Sequence, residues 1–130
     1  MTQPNVESET SDRRKKGIEL MDKLNPKATN RLSKMMEGVA PDMVDMVLDF
    51  AYGEVMSREG LDLKTRELCI IASLAAMGLE VELKIHVRKA VHIGVSQREI
   101  SEVLLQQAVY SGFPRAINAL VAAKEVFEEQ

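Results

Sequence analysis

The sequence is poor in aromatic residues, which make up 4% of its 130 residues, and it has no tryptophan. A hydrophobic core must therefore come from aliphatic side chains, chiefly Leu, Ile, Val and Ala together with eight Met. Ala, Leu and Met have high helix propensity, so this composition favours helices over strands. The length fits one domain.

The sequence also has little cysteine, no long apolar run and no excess of positive charge. Cys69 is the single cysteine, which excludes an internal disulfide and a redox-active thiol pair. We therefore expect a reducing, cytoplasmic location. No apolar run reaches the ~18 residues of a membrane span, and the polar N-terminus lacks the apolar segment of a signal peptide. The net charge of −3 gives no reason to expect nucleic acid as a partner.

The apolar spacing predicts an all-α fold of six to seven helices joined by short connections. Residues 1–11 are polar and aperiodic, which predicts a disordered tail, and 12–130 are expected to form a single domain. Helices are predicted over 12–24, 26–37, 41–56, 63–77, 79–93 and 96–111, with a seventh to about 128 that has Pro114 in its first turn. The helix over 41–56 is expected to bury Met43, Val44, Val47, Leu48 and Ala51.

Several residues mark where these helices begin and end. Gly78 and Gly94 stand where a left-handed C-terminal cap is needed. Ser96 and Glu99 form the S-x-x-E pattern of a capping box. Between Leu68 and Met77 only Ser73 is polar, so the fourth helix is apolar on all sides. Few helices are available to surround it, so we expect a second copy of the chain to cover part of it, which makes the protein an oligomer.

Two glutamates and a histidine fall on apolar helix faces. Glu82 and His86 lie one turn apart on a stripe otherwise made of Leu79, Leu83, Ala90 and Ile93. A carboxylate is costly to bury unpaired, so the pair implies mutual hydrogen bonding or a polar cavity. Glu67 either sits in the first turn of its helix, where the helix dipole favours it, or faces the fifth helix and completes a Glu/Glu/His cluster.

Such a cluster suits proton transfer near neutral pH. The alternative is a structural Glu–His hydrogen bond in an oligomer core. A metal site is a weaker interpretation, because the H-E-x-x-H pattern is absent. His92 points away from His86 and is expected at the surface.

Four motifs over about 53–120 resemble the carboxymuconolactone decarboxylase family. They are S-R-x-G-L from Ser57, T-R-E-L from Thr65, A-x-x-G-L-x-x-E-L-x-x-H ending at His86, and A-V-Y-S-G-F-P-R-A from Ala108. The resemblance implies an all-helical fold shared with alkylhydroperoxidase D-like proteins, often assembled as a trimer of dimers.

The peroxidase branch of that superfamily uses a C-x-x-C pair followed by a histidine. By the count back from His86, those thiols are replaced here by Glu82 and Leu79, while the branch's upstream glutamate corresponds to Glu67. By this resemblance the sequence keeps the glutamate and histidine that transfer protons in that branch and lacks its two redox-active cysteines. A thiol-dependent peroxidase using Cys69 is the least favoured function.

The decarboxylase branch acts in aromatic compound degradation, and the resemblance implies loss of CO₂ from 4-carboxymuconolactone without a cofactor. His86 is the candidate general acid, oriented by Glu82 or Glu67. Arg58 is the candidate clamp for a substrate carboxylate, or else fixes its loop by a salt bridge. Arg66 and Tyr110 are weaker substrate-binding candidates.

The sequence departs from the branch's pattern at the end of the third helix. Tyr52, Met56 and Glu59 stand where that branch has tryptophans and a proline. Those changes would reshape the pocket mouth and add a negative charge near the small anionic substrate that the resemblance implies. A non-catalytic oligomeric binding or assembly module of the same fold is the alternative function.

Overall fold

A computed structural model describes the backbone of residues 6–129 and the side chains of residues 12–129. These residues are helical throughout, with short connections and no strand, so the all-α prediction is confirmed. The helices are α1 (Val6–Leu24), α2 (Ala28–Met36), α3 (Asp42–Met46), a π-helix (Val47–Met56), α4 (Leu63–Met77), α5 (Glu80–His92), α6 (Gln97–Tyr110) and α7 (Phe113–Glu128). None of these described helices is both long and apolar enough to cross a bilayer.

The chain forms two compact units that divide between Gly60 and Leu61. The prediction of a single domain over 12–130 stays a prediction beside this division. Of the predicted disordered tail, residues 1–5 lie outside the described residues. From Val6 the chain is helical, so α1 begins six residues earlier than predicted.

In the first unit, α1 packs closely against the π-helix. Two glycines make this approach possible, because a Cβ on Gly17 would overlap the carbonyl oxygen of Leu48 and one on Gly53 would overlap that of Arg13. Arg14 adds an ion pair to Asp49, with Nη2 2.9 Å from Oδ2. Its hydrogen bond lowers the pKa of the Asp49 carboxyl. The contact therefore joins two backbones directly and is reinforced by charge.

The predicted helix over 41–56 is confirmed to within about a residue, but from Val47 it is a π-helix, which the apolar spacing did not predict. After Met46 the hydrogen bonds run to the fifth residue along, which widens the turn. The buried positions over α3 and the π-helix are Val44, Leu48, Tyr52 and Gly53. Val47 and Ala51, predicted to be buried, are half-buried. Met43, predicted to be buried, lies in α3 before the π-helix begins and is 45% exposed.

The second unit consists of α4–α7 around an aliphatic core. The largest fully buried apolar side chains there are Ile71, Leu83, Ile100, Leu104, Val87 and Val126. Four alanines on α7 are buried as well and let its neighbours approach closely: Ala116, Ala119, Ala122 and Ala123. Aliphatic side chains thus build this core, as the shortage of aromatic residues predicts.

The predicted boundaries of α4–α7 are confirmed to within about a residue. Gly78 and Gly94 have φ of +72° and +95°, the left-handed region in which glycine carries no Cβ penalty. Ser96 and Glu99 make both hydrogen bonds of the predicted capping box. The unit that carries the candidate site is therefore held by strong local signals at its helix ends.

Candidate active site

The N-terminus of α4 is fixed by Asp62. Its side chain accepts hydrogen bonds from the Thr65 backbone N–H and the Thr65 hydroxyl, each at 2.9 Å. These bonds lower the pKa of the Asp62 carboxyl. Because the cap sets the helix start at Leu63, Glu67 lies in the second turn, and α4 has no acidic residue in its first turn. The helix-dipole interpretation of Glu67 was therefore wrong.

Glu67 instead points into the second unit, towards α5. Its side chain is fully buried, with 0% exposed, and its Oε2 lies 2.8 Å from Nδ1 of His86. The imidazole keeps 17% of its side chain exposed. The geometric prediction that Glu67 faces the fifth helix is thus confirmed. A buried carboxylate holds a ring that solvent can still reach.

The hydrogen bond assigns distinct tasks to the two nitrogens of His86. An ionised carboxylate only accepts, so Nδ1 carries a hydrogen when Glu67 is charged. The other nitrogen, Nε2, is then the one left to exchange a proton with a bound molecule. This division of the ring between an orienting carboxylate and a reacting partner is typical of general acid–base histidines.

A third charged group, Lys89, was missed at the sequence level. It lies on α5 three residues after His86, and it is 3% exposed. Burial lowers the pKa of its ammonium group to about 8, against the opposing attraction of Glu67. Three residues along a helix keep a side chain on the same side, so its position relative to His86 was the available signal.

The other predicted residues of the second unit are less enclosed. Glu82 is exposed one turn before His86, and the described partner of His86 Nδ1 is Glu67. Arg66 is half-buried and donates from Nε to the Leu61 carbonyl oxygen at 3.1 Å. Tyr110 is 83% exposed at the end of α6. The roles of all three stay predictions.

Arg58 belongs to the first unit, in the turn after the π-helix, and it is exposed. Tyr52, by contrast, is 6% exposed on the buried side of that helix. The carboxylate-clamp role of Arg58 stays a prediction.

The remaining candidates from the sequence are the Cys69 thiol, His92 and a possible metal site. Cys69 is a free, exposed thiol, and His92 is exposed as predicted. Within the described part of the chain, no three His, Cys, Asp or Glu side chains are placed to hold a metal ion.

A shallow depression of about 160 Å³, open to solvent, lies beside the turn between α4 and α5. It is lined by residues that include Leu79, Leu83 and Arg115, but not by His86. Arg115 also donates from Nη1 to the carbonyl oxygen of Met77 at 3.2 Å. This depression is therefore separate from the Glu67–His86 pair.

Comparison with known proteins identifies the family. Residues 41–125 match the model of the carboxymuconolactone decarboxylase family. The chain is 37% identical over 118 residues to the 4-carboxymuconolactone decarboxylase of Acinetobacter baylyi, covering 90% of this chain and 88% of that protein. The chain belongs to the carboxymuconolactone decarboxylase family.

Two further relatives show the spread of that family. An uncharacterised 15.0 kDa protein of Paracoccus denitrificans is 33% identical over 116 residues, covering 88% of this chain and 87% of that protein. A nitrosuccinic acid decarboxylase of Metarhizium robertsii is 33% identical over 85 residues, covering 65% of this chain and 59% of that protein. The relatives named for an activity share decarboxylation and differ in substrate.

Proposed function

We propose that this chain is a cofactor-independent carboxy-lyase that acts by general acid–base catalysis on a small carboxylated lactone resembling 4-carboxymuconolactone. The observation that carries the proposal is the hydrogen bond between the fully buried Glu67 and the partly exposed His86. The names of the Acinetobacter and Metarhizium relatives support the reaction class. They support the lactone less strongly, because the two names give different substrates.

Decarboxylation sets two tasks for the protein. When the carbon–carboxylate bond breaks, CO₂ leaves and the bond's electron pair stays on the carbon, from which a conjugated lactone carbonyl can accept it. The site must stabilise the resulting negative charge and then deliver one proton to carbon. Both tasks call for a group that is positively charged at the start and neutral at the end.

His86 fits that description when its ring is doubly protonated. The imidazolium donates from Nε2 to the carbon, while Nδ1–H stays bonded to Glu67 and fixes the plane of the ring. The neutral ring then regains its proton from water through its exposed edge. Glu67 acts as the orienting base partner, and Glu82 is a further candidate for that task. Arg58, with Arg66 and Tyr110, remains a candidate for binding the substrate carboxylates.

The test is a decarboxylation assay with 4-carboxymuconolactone, followed by ultraviolet absorbance and CO₂ release. His86→Ala should lower kcat by at least about 100-fold, whereas the matched control His92→Ala should leave kcat unchanged. Circular dichroism should show the same helix content in all three proteins. Full activity of His86→Ala would refute the assigned role.

Substrate and reaction class can fail separately. If the wild type leaves the lactone intact but releases CO₂ from an open-chain acid such as nitrosuccinic acid, the lactone is wrong and the carboxy-lyase assignment stands. If His86→Ala unfolds or dissociates the protein while no substrate turns over, the alternative of a non-catalytic assembly module is favoured.

We also propose that the chain forms a homo-oligomer, such as a trimer of dimers, in the cytoplasm. Three large apolar side chains recur every four residues along α7 and are more than half exposed: Phe113 (70%), Ile117 (54%) and Val121 (53%). Such a stripe is typical of a surface that binds another protein. Ile117→Asp should lower the mass measured by sedimentation, whereas Lys124→Asp on the same helix should not. An unchanged mass for Ile117→Asp would remove this stripe from the interface.

A further inference from the structure

Two charged side chains are buried in the described part of the chain, and they carry opposite charges. Glu67 is 0% and Lys89 is 3% exposed. A buried charge is costly unless another charge or several hydrogen bonds compensate for it. The attraction of Glu67 for the Lys89 ammonium opposes the effect of burial on that lysine. The two residues therefore compensate each other in part.

The hydrogen bonds of Glu67 show why this compensation is needed. Oε2 is bonded to His86, but Oε1 is buried and has no hydrogen-bond partner among the described residues. One hydrogen bond is little support for a buried carboxylate. A nearby cation would stabilise its ionised form, and the candidates are the imidazolium of His86 and the ammonium of Lys89.

The choice of cation decides whether His86 is free to react. If only the imidazolium compensated Glu67, each proton donated by His86 would leave a buried, uncompensated carboxylate. That cost would oppose proton donation. With Lys89 positively charged, Glu67 stays compensated whether or not His86 has given up its proton.

We propose that Lys89 is a positioning residue that keeps Glu67 ionised throughout the reaction and thereby holds the neutral ring of His86 in the Nδ1–H tautomer. The inference rests on the proposed function for its catalytic consequence. Its structural part, the state of the ring, can be measured without any substrate.

Removal of the lysine charge has a defined consequence. In Lys89→Met, Glu67 takes up one proton from solvent in place of the lost ammonium charge. Its O–H then donates to Nδ1, so the single hydrogen of the neutral ring moves to Nε2. The ring is then a neutral imidazole, whose Nε2–H is a far weaker acid than that of the imidazolium, so proton donation to the substrate carbon is slowed.

The tautomer is measured by two-bond ¹H–¹⁵N NMR on protein labelled at histidine. The chain has two histidines, and a His92→Gln variant assigns their signals. The wild type should show mainly the Nδ1–H form for the neutral ring of His86. Lys89→Met should show mainly the Nε2–H form, and Lys89→Arg, which keeps the charge, should match the wild type.

Lys84→Met is the matched control, because it removes a lysine from the same helix at a side chain that is 30% exposed and paired with Glu125. Its His86 spectrum should equal that of the wild type. A wild-type tautomer in Lys89→Met would overturn the proposal. If Lys89→Met loses its helical circular dichroism, Lys89→Gln replaces it, with the same expectation and the same refuting result.

Kinetics supply the second readout. With 4-carboxymuconolactone as substrate, Lys89→Met should lower kcat by about 100-fold or more with KM nearly unchanged, and Lys89→Arg should restore most of the rate. If the tautomer changes as expected but neither the wild type nor any variant turns over the lactone, the role of Lys89 in setting the tautomer stands and the proposed substrate is wrong. An equal loss in Lys89→Arg and Lys89→Met would overturn the role of the charge.

Discussion

Raising the pH from 7 to 10 should stabilise the wild-type protein relative to Lys89→Met. In the folded chain burial lowers the pKa of Lys89 to about 8, whereas the ordinary value is 10.5. Below pH 8 both folded and unfolded chains hold the proton, so the cost of the buried ammonium is fully present. Between pH 8 and 10.5 the unfolded chain binds more protons than the folded one, so the free energy of unfolding rises with pH.

The size of the effect follows from the separation of the two pKa values. About 2.5 pH units correspond to about 3 kcal/mol of unfolding free energy. Most of this, roughly 2 to 3 kcal/mol, should be regained by pH 10, because there the folded chain has lost the proton of Lys89 almost completely. The other lysines and the tyrosines titrate in both proteins, so their contributions cancel in the difference.

Urea unfolding followed by circular dichroism, at pH 7, 8, 9 and 10, measures this difference. Lys84→Met, which removes a partly exposed ammonium from the same helix, is the matched control for the loss of a lysine side chain. A constant difference between the wild type and Lys89→Met would mean that the Lys89 ammonium is not desolvated in the folded protein. The electrostatic description of the buried cluster would then be wrong.

Glu67→Gln should lower the pKa of Lys89 further below about 8, as read from ¹³C shifts at its ε-carbon, because the opposing attraction is lost and burial remains; an unchanged pKa would separate the two residues. Ser96→Ala should cost about 1 kcal/mol in thermal unfolding, since it removes the hydroxyl oxygen that accepts from the Glu99 backbone N–H; a change near zero would count against the cap. Gly78→Ala should destabilise by at least about 1 kcal/mol, because φ is positive there and a Cβ would overlap the Arg115 guanidinium. Gly60→Ala, whose Cβ meets nothing within 4 Å, is its control and should be nearly neutral.

Local signals made the second unit predictable. Three glycines adopt a positive φ next to helix ends: Gly78, Gly94 and Gly112. The capping box of Ser96 and Glu99 starts α6 through hydrogen bonds within four residues. Such signals act over short distances and are therefore readable from sequence. The pairing of Glu67 with α5 was also predictable, because a carboxylate on an apolar face needs a partner.

The misses have physical causes of their own. The π-helix over Val47–Met56 packs against α1 at Gly17 and Gly53, a contact between segments distant in sequence that local patterns do not encode. Glu82 lies on the predicted stripe but is exposed. Positions within about 60° of His86 include both buried side chains and side chains at the edge of the buried face, so the stripe alone does not predict burial. Lys89 was passed over because a lysine is normally expected at the surface.

The π-helix also has a consequence for changes in chain length. Because each of its turns takes up more residues than an α turn, deletion of a single residue would allow one of its turns to rewind as an α-helix. The same deletion would carry Gly53 away from Arg13 and bring a bulkier residue to a point where only a hydrogen side chain fits. Variation between relatives in the number of residues should therefore avoid this stretch and collect in the loops that flank it.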